Sequence, residues 1–266
     1  MLTPDELALD GGSGRYRRVL DPGWMCADHI FGAYPTALAL AAAGRESQHP
    51  DPISAHVVRC GQARPGPLLL EVSALRSSSR TWFGHVVATQ RGRPILTCTA
   101  WFGEHASPVH SIRPSDRELP PPGACPSVSW IRLAQAEGRF LQTRSIDAPN
   151  RTGESPANLD VWVRPAGPIN RHRFVSEAFD LVLADPHVLD HAAARSPMIT
   201  PADREVDLTI RWEHNGNASP WRRLRGSRRR HDGRQHWDGE LYDEDGTLRA
   251  TVQTISRARD EFAASA

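Results

Sequence analysis

The chain has 266 residues, a formal net charge of +1 and 39% apolar residues, which is typical of a soluble globular protein. The balanced charge gives no general attraction to nucleic acid, and no apolar run reaches the roughly 20 residues that a membrane helix needs, so neither partner is expected. All 32 basic residues are arginine, which excludes a Schiff-base lysine and a P-loop lysine.

Cysteine usage indicates a reducing compartment, since the four cysteines are far apart and form no CxxC pair: Cys26, Cys60, Cys98 and Cys125. The apolar run Ala37–Ala43 is too short and too far from the N-terminus for a signal peptide. We therefore expect a cytoplasmic protein. The His, Cys, Asp and Glu residues show no metal-ligand spacing, and we expect neither a metal nor a cofactor.

The first half is predicted to be one helix followed by strands. The alanine-rich run Ile30–Arg45 predicts a buried helix, and Pro35 fits only its first turn, so the helix proper should start near Tyr34. Residues rich in β-branched and aromatic side chains predict four strands: Ile53–Cys60, Leu68–Leu75, Arg80–Gln90 and Pro94–Phe102. The glycine in Gln90–Arg93 indicates a hairpin turn.

The second half repeats this plan after a proline-rich connector over 103–128. An amphipathic helix is predicted over Arg171–Leu189, and Asp243–Gly246 indicates another hairpin. The predicted strands are Phe140–Asp147, Leu159–Arg164, Glu205–Trp212, Trp221–Arg229, Gln235–Asp243 and Leu248–Ser256. A helix with an antiparallel sheet, twice over, predicts an α+β fold with units at 1–105 and 139–266 and a linker at 106–138.

Four blocks of sequence resemble the acyl-CoA thioesterase II (TesB-like) family, whose fold is a double hotdog. They are HIFGAYPTALALAAAG (29–44), HVVATQRGRPILTCTAWF (85–102), FLQTRSIDAP with DVWVRPAGPI (140–169), and WDGELYDEDGTLRATVQTISR (237–257). They occur in the family's order and spacing. The resemblance implies two tandem hotdog units, each with a long helix packed on an antiparallel sheet, and an acyl-CoA or carrier-bound acyl thioester as the substrate.

The resemblance also implies a catalytic site in the second half. In the family an Asp, a Thr or Ser and a Gln orient the water that attacks the thioester carbonyl, without a metal or covalent nucleophile. Asp185 matches the Asp and Gln253 matches the Gln, but Glu205 stands at the Thr or Ser position. A shifted alignment would instead bring Thr200 to the site.

This departure leaves three interpretations open. The first is a thioester hydrolase with a modified site. Two carboxylates in one pocket raise each other's proton affinity, so the second is acid–base chemistry by Asp185 and Glu205 in a dehydratase, isomerase or cyclase. The third is a protein that binds acyl thioesters without turnover.

Substrate-binding residues are predicted around the first helix and on a second-half strand: His29, Gly32, Tyr34 and Trp212. His29 follows Asp28, a pairing similar to that of hotdog dehydratases, although a half-buried structural histidine is the commoner case. The arginine-rich run 222–230 suits the phosphates of coenzyme A, but a solvated strand explains it as well. Because hotdog sheets often pair edge to edge, the resemblance implies a homodimer.

Overall fold

The computed structural model describes residues 3–26, 28–104, 119–128, 141–146, 158–165, 174–185, 206–213 and 220–257. The elements of the first half are β1 Asp10–Gly12, β2 Arg15–Leu20, β3 Met25–Cys26, β4 His29–Ile30, α1 Ala33–Glu46, β5 Asp51–Arg59, β6 Gly66–Ser77, β7 Thr81–Gln90 and β8 Arg93–Gly103. The remaining elements are β9 Ser127–Val128, β10 Leu141–Ser145, β11 Asn158–Pro165, α2 Val175–Leu183, β12 Val206–Trp212, β13 Arg222–His231, β14 Arg234–Asp243 and β15 Leu248–Arg257.

Helix α1 forms as the sequence predicts, with its start three residues later than the apolar run. Pro35 lies in the first turn, where its missing N–H breaks no helical hydrogen bond. The helix is buried from Ala33 to Gly44, and the burial of a leucine such as Leu38 contributes about 1.5–3 kcal/mol. Its many alanines let the strands approach closely on every side.

Thirteen strands form one antiparallel sheet in the order β1-β2-β6-β7-β8-β5-β12-β15-β14-β13-β11-β10-β9. The two halves of the chain meet where β5 pairs with β12, for example at Val57 opposite Leu208. The remaining two strands, β3 and β4, form a separate pair beside the start of α1. A large antiparallel sheet with helices packed on it confirms the predicted α+β class.

The hairpin turns use left-handed backbone conformations that match the twist of the strands. Arg91 and Gly92 have φ values of 54° and 73° in the predicted β7–β8 turn, and Gly246 has 85° in the predicted β14–β15 turn. The β13–β14 turn at Asp232–Gly233 also has positive φ at both positions. The sequence analysis did not predict the β1–β2 hairpin, which consists of short, exposed strands.

Each strand has an inner face, which packs against the helices, and an outer face. In β12 the inner residues Val206, Leu208, Ile210 and Trp212 are buried, whereas Asp207 and Arg211 between them are exposed. Both helices lie on the inner side and share one hydrophobic core with strands from both halves. They run antiparallel, because Gly44 near the end of α1 lies against Phe174 at the start of α2.

The predicted boundaries of the second half are confirmed where the structure describes them. Helix α2 is shorter than the predicted Arg171–Leu189, whose two ends lie outside the described residues. Part of the predicted linker packs on the second half, since Trp162 Nε1 donates to the Pro120 carbonyl at 3.1 Å and β9 pairs with β10. The division at 105 and 138 falls in residues that are not described, and it stays a prediction. None of the described helices is long and apolar enough to cross a bilayer.

Candidate active site

A buried ion pair joins the two halves beneath the helices. Arg59 is the last residue of β5, and Asp185 follows the end of α2 by two residues. Arg59 Nη1 donates to Asp185 Oδ2 at 2.8 Å, and the two side chains are only 7% and 2% exposed. Removing one partner of such a pair typically costs about 3–5 kcal/mol, because the other charge is left buried and uncompensated.

The Arg59 guanidinium keeps one nitrogen without a hydrogen bond. Nη2 is buried and contacts no acceptor in the part of the chain that the structure describes. A buried donor without an acceptor costs about 1–3 kcal/mol. In a native protein such a group calls for an explanation, and a ligand that supplies the acceptor is one.

Gly32 places this guanidinium at the N-terminus of α1. Gly32 is the N-cap residue, and no side chain caps the helix there. A Cβ at position 32 would overlap Arg59 Nη1 and lie 3.2 Å from its Cδ, so only glycine lets the arginine pass. The positive end of the helix dipole and the guanidinium therefore act on the same small volume.

Strand alternation brings further polar side chains to the inner face of the sheet. Arg59 pairs with Val206, and Val206 pairs with Ser256, which places the Cα atoms of Arg59 and Ser256 about 10 Å apart. Thr254 is 2% exposed, and its Oγ1 has no partner among the described atoms. Together with the buried Gln235 opposite Ser256, these residues form a polar patch on an otherwise apolar surface.

The sequence analysis did not identify this polar patch, which comprises Arg59, Gln235, Thr254 and Ser256. A signal was present in β15, where Ala250 and Val252 share a face with Thr254 and Ser256. Such a change from apolar to hydroxyl residues along one face marks the end of the core. Arg59 gave no local signal, because its partner Asp185 is 126 residues away.

Gln253 lies on the outer face, away from this region. It is exposed, and its Nε2 donates to Asp238 Oδ1 at 3.3 Å. It lines a groove of about 780 Å³ between β11, β12, β13, β14 and β15, together with residues such as Thr209 and Glu240. The structure therefore does not bring Gln253 and Asp185 together, because the alternation of β15 points Gln253 to the opposite side of the sheet. Glu205 and Thr200 lie outside the described residues.

His29 lies on β4, three residues before the N-cap of α1, and is 7% exposed. Its Nδ1 is 3.0 Å from Asp28 Oδ1, and Arg64 Nη2 is 3.4 Å from the other carboxylate oxygen. The hydrogen bond from His29 holds the pKa of Asp28 below its usual range, with the charges of His29 and Arg64 adding to the effect. The imidazole is thus oriented by Asp28, and its Nε2 contacts no acceptor or donor in the described ranges.

The other two predicted substrate-binding residues have partners within the fold. Tyr34 is fully buried, stacks on Trp24 at a centroid distance of 4.5 Å, and donates its hydroxyl to the Glu6 carbonyl. Trp212 donates its indole N–H to Asp180 Oδ2 at 3.0 Å. The structure therefore places His29 and Gly32, but not these two polar groups, where a ligand at the α1 N-terminus would contact them.

The arginine-rich run of β13 is partly buried, which corrects the expectation of a solvated strand. Arg222 is 1% exposed and pairs with Asp243 at 2.9 Å and with Asp180 at 3.6 Å. Arg249 from β15 donates to Asp180 Oδ2 at 2.6 Å. Burial raises the pKa of the neighbouring Glu177. This network fixes α2 to the sheet, so its arginines serve the fold rather than coenzyme A.

Among the described residues, no group of three or more His, Cys, Asp and Glu side chains could hold a metal ion. The polar groups at the α1 N-terminus are instead a carboxylate, a guanidinium and an imidazole. These can orient water, donate hydrogen bonds to an oxygen and transfer protons.

Comparison with known proteins identifies the first half. Residues 20–103 match the model of the acyl-CoA thioesterase N-terminal domain. No curated protein sequence matches the chain.

Solved structures extend the likeness to the whole chain. The tesB protein of Mycobacterium avium subspecies paratuberculosis is 21% identical with a TM-score of 0.77, and the match covers 95% of this chain and 96% of that one. The acyl-CoA thioesterase II of Mycobacterium marinum is 19% identical with a TM-score of 0.74, over 96% and 98% of the two chains. A hotdog-fold protein of Alicyclobacillus acidocaldarius is 18% identical with a TM-score of 0.78, over 96% and 97%.

At these identities the structures show a shared fold. The resemblance drawn from the sequence is thereby confirmed: residues 20–103 belong to the acyl-CoA thioesterase N-terminal domain family, within a chain that shares the hotdog fold of thioesterase II proteins.

Proposed function

We propose that the protein hydrolyses acyl thioesters, either acyl-CoA or carrier-bound acyl groups. The observation that carries this proposal is the buried Asp185 carboxylate, held by Arg59 at the N-terminus of α1. A thioester is already an activated acyl group, so an oriented water and a site for the developing negative charge suffice. The family match over residues 20–103 supports the same class of substrate.

In this proposal Asp185 accepts a hydrogen bond from a water molecule and directs its oxygen at the thioester carbonyl carbon. The water proton moves to Asp185 as the C–O bond forms, and negative charge develops on the carbonyl oxygen. When the C–S bond breaks, the departing thiolate takes the proton from Asp185. The products are a carboxylic acid and a free thiol, and Asp185 is again ionised.

The sequence-based site and the geometry differ on Gln253. The family pattern predicts that Gln253 helps to hold the water and that Glu205 modifies the role of the usual Thr or Ser. The exposed position of Gln253 on the outer face instead predicts that it makes no contact with the water. Glu205 stays a prediction, as does the double hotdog layout with one helix and one set of strands in each unit. A homodimer is likewise a prediction, to be checked by light scattering.

The test measures thiol release from a series of acyl-CoA thioesters of increasing chain length. Asp185→Asn should lower kcat by about 100-fold or more, because the neutral amide cannot accept the proton. Gln253→Ala should stay within about twofold of the wild type. The matched control is Asp207→Asn, which changes an exposed carboxylate that pairs with His56 on the outer face.

Two outcomes separate the alternatives. If Gln253→Ala abolished turnover while Asp185→Asn did not, the site proposed here would be wrong and the family pattern would stand. If the wild type bound the thioesters without releasing thiol, the hydrolase assignment would fail in favour of a binding protein.

A second candidate function follows from His29. An imidazole oriented by Asp28 and buried near the α1 N-terminus is suited to move the proton on the carbon next to the thioester carbonyl, as in hydration and dehydration. The same preparation should be offered 2-enoyl-CoA and 3-hydroxyacyl-CoA, with the enoyl absorbance followed over time. Interconversion that is lost in His29→Gln and retained in Gln253→Ala would favour this candidate over hydrolysis.

A further inference from the structure

We propose that Arg59 is a catalytic residue that binds the thioester carbonyl oxygen through Nη2 and stabilises the negative charge that develops on it. This assignment rests on the proposed function, since it names the donor for the oxygen of the same acyl thioester. It concerns a first-half residue, whereas the site predicted from the sequence lies in the second half.

The first support is the hydrogen-bonding state of the guanidinium. Nη1 is engaged with Asp185 Oδ2 at 2.8 Å, which fixes the plane of the group. Nη2 is buried and contacts no acceptor in the described ranges. Its side chain is 7% exposed, so bulk water does not serve as its general partner. A carbonyl oxygen brought by a ligand would supply the missing acceptor.

The second support is the position of the group. The guanidinium passes over Gly32, where a Cβ would overlap Nη1 and come within 3.2 Å of Cδ. Gly32 is the N-cap of α1, and the next amide, Ala33 N–H, precedes the internal hydrogen bonds of the helix. An oxygen that accepts from Nη2 at this point also lies in the positive field of the helix.

The charges of the pair decide which ligand suits the site. Arg59 and Asp185 together are neutral, so a second carboxylate would add an unpaired negative charge to a buried region. A thioester carbonyl is neutral when it binds. As water attacks, the negative charge leaves Asp185 with the proton transfer and appears on the carbonyl oxygen. The guanidinium contacts both places, so it faces one negative charge before and after the step.

Arginine fits this role better than lysine would. The planar guanidinium donates from Nη1 and Nη2 in two fixed directions, one to the carboxylate and one to the ligand. A lysine ammonium on the same strand would act as a single point charge. Arg59→Lys should therefore keep the charge but lose the second directed hydrogen bond.

The experiment compares two CoA ligands that cannot be hydrolysed. A carbadethia acyl-CoA, in which a methylene replaces the thioester sulfur, keeps the carbonyl, whereas an S-alkyl-CoA of the same length lacks it. Calorimetry should show that Arg59→Gln weakens the carbadethia ligand by about 10- to 100-fold and the S-alkyl ligand by less than about twofold. Arg59→Lys should show the same selective loss.

A second pair of variants covers the case in which a lone Asp185 charge prevents folding. Asp185→Asn keeps Arg59, and the double variant Arg59→Gln with Asp185→Asn replaces the ion pair by two neutral amides. Preference for the carbonyl ligand should persist in the first and disappear in the second. Equal weakening of both ligands, or of neither, would show that Arg59 is a structural residue and overturn the assignment.

The same measurements keep this inference apart from the hydrolase proposal. If the wild type releases no thiol but prefers the carbonyl ligand in an Arg59-dependent way, hydrolysis is wrong and the Arg59 site stands. If the wild type hydrolyses thioesters and Arg59→Gln keeps its kcat and its carbonyl preference, hydrolysis stands and Arg59 is not the donor.

Discussion

The Thr254 hydroxyl is a buried polar group without a partner among the described atoms, at the edge of the polar patch. Valine has nearly the same shape and no hydroxyl. Thr254→Val should therefore raise the free energy of unfolding by about 1 kcal/mol, because it removes an unsatisfied buried oxygen. If that oxygen contacts the substrate or the water, kcat should fall in the same variant.

The measurement combines chemical denaturation with the thiol-release assay. The control is Thr209→Val on the outer face, which should change stability by less than about 0.5 kcal/mol and leave kcat unchanged. A loss of stability in Thr254→Val would mean that the hydroxyl has a partner in the folded protein. Unchanged activity would place Thr254 outside the site.

All three tyrosines of the chain have raised pKa values. Burial, together with the hydrogen bond to Glu46, raises the pKa of Tyr16 to about 12, and burial with Glu240 raises that of Tyr242 to about 12. Burial also raises the pKa of Tyr34. The folded protein therefore keeps phenol protons that the unfolded chain releases near pH 10.0.

Stability should consequently fall as the pH rises from about 10 to about 12, since the folded state binds more protons than the unfolded state in this interval. Tyrosinate absorbance should appear near pH 10 in denaturant and close to pH 12 in the native protein. Tyr16→Phe should weaken the pH dependence. Native titration near pH 10 would contradict the burial of these phenols.

The choice between Gln253 and its neighbours shows what a sequence motif leaves open at this scale. The family pattern specifies a residue type on the closing strand. The face of the sheet is specified by the alternation of Ala250 and Val252, which sets Thr254 inward and Gln253 outward. That alternation is visible in the sequence. The pairing of Arg59 with Asp185 is not, because it depends on β5 and α2 meeting beneath the helices.

At the scale of elements, the packing of α1 against α2 depends on a glycine. A Cβ at Gly44 would overlap the ring of Phe174, which is itself held edge-on by Phe102 at 5.8 Å. Gly44→Ala should therefore destabilise the protein by about 1–3 kcal/mol through overpacking, although alanine is the better helix former.

The control for this prediction is Gly12→Ala in β1, where no atom lies within 4 Å of the added Cβ. Its denaturation midpoint should stay close to that of the wild type. A stabilised Gly44→Ala would show that Phe174 moves aside at little cost and that helix propensity decides the outcome.

Predictability of the elements follows the strength of their local patterns. Helix α1 and the β7–β8 hairpin were predicted within a few residues, because a long alanine-rich run and a glycine turn are strong local signals. The start of α1 shifted because Ile30 pairs with Met25 in the β3–β4 bridge instead of entering the helix. The β1–β2 hairpin was missed because Asp10–Gly12 and Arg15–Leu20 lack the apolar alternation of a core strand.

For the whole molecule, the sequence predicted a repeated plan but not how the halves join. The β5–β12 pairing extends over six residue pairs, and neither strand carries a pattern that names the other as its neighbour. The candidate site arises at this junction, since it takes Gly32 and Arg59 from one half and Asp185 from the other. For that reason a motif search confined to the second half found Asp185 and missed its partner.

The same junction predicts that the two halves unfold as one unit. The hydrophobic core includes α1, α2 and strands from both halves, and the Arg59–Asp185 ion pair lies within it. Separating the halves would expose the apolar inner residues of β5 and β12 and leave both charges without partners. Neither half should therefore be stable while the other is unfolded.

Native-state hydrogen exchange with mass spectrometry would measure this directly. The slowest amides of β7 in the first half and of β14 in the second should report opening free energies within about 1 kcal/mol of each other. In Gly44→Ala, both values should fall by the same amount, although the substitution lies in the first half. If one half retained its protection while the other lost it, the halves would be independent folding units, and a candidate site built from both would be lost before either half unfolds completely.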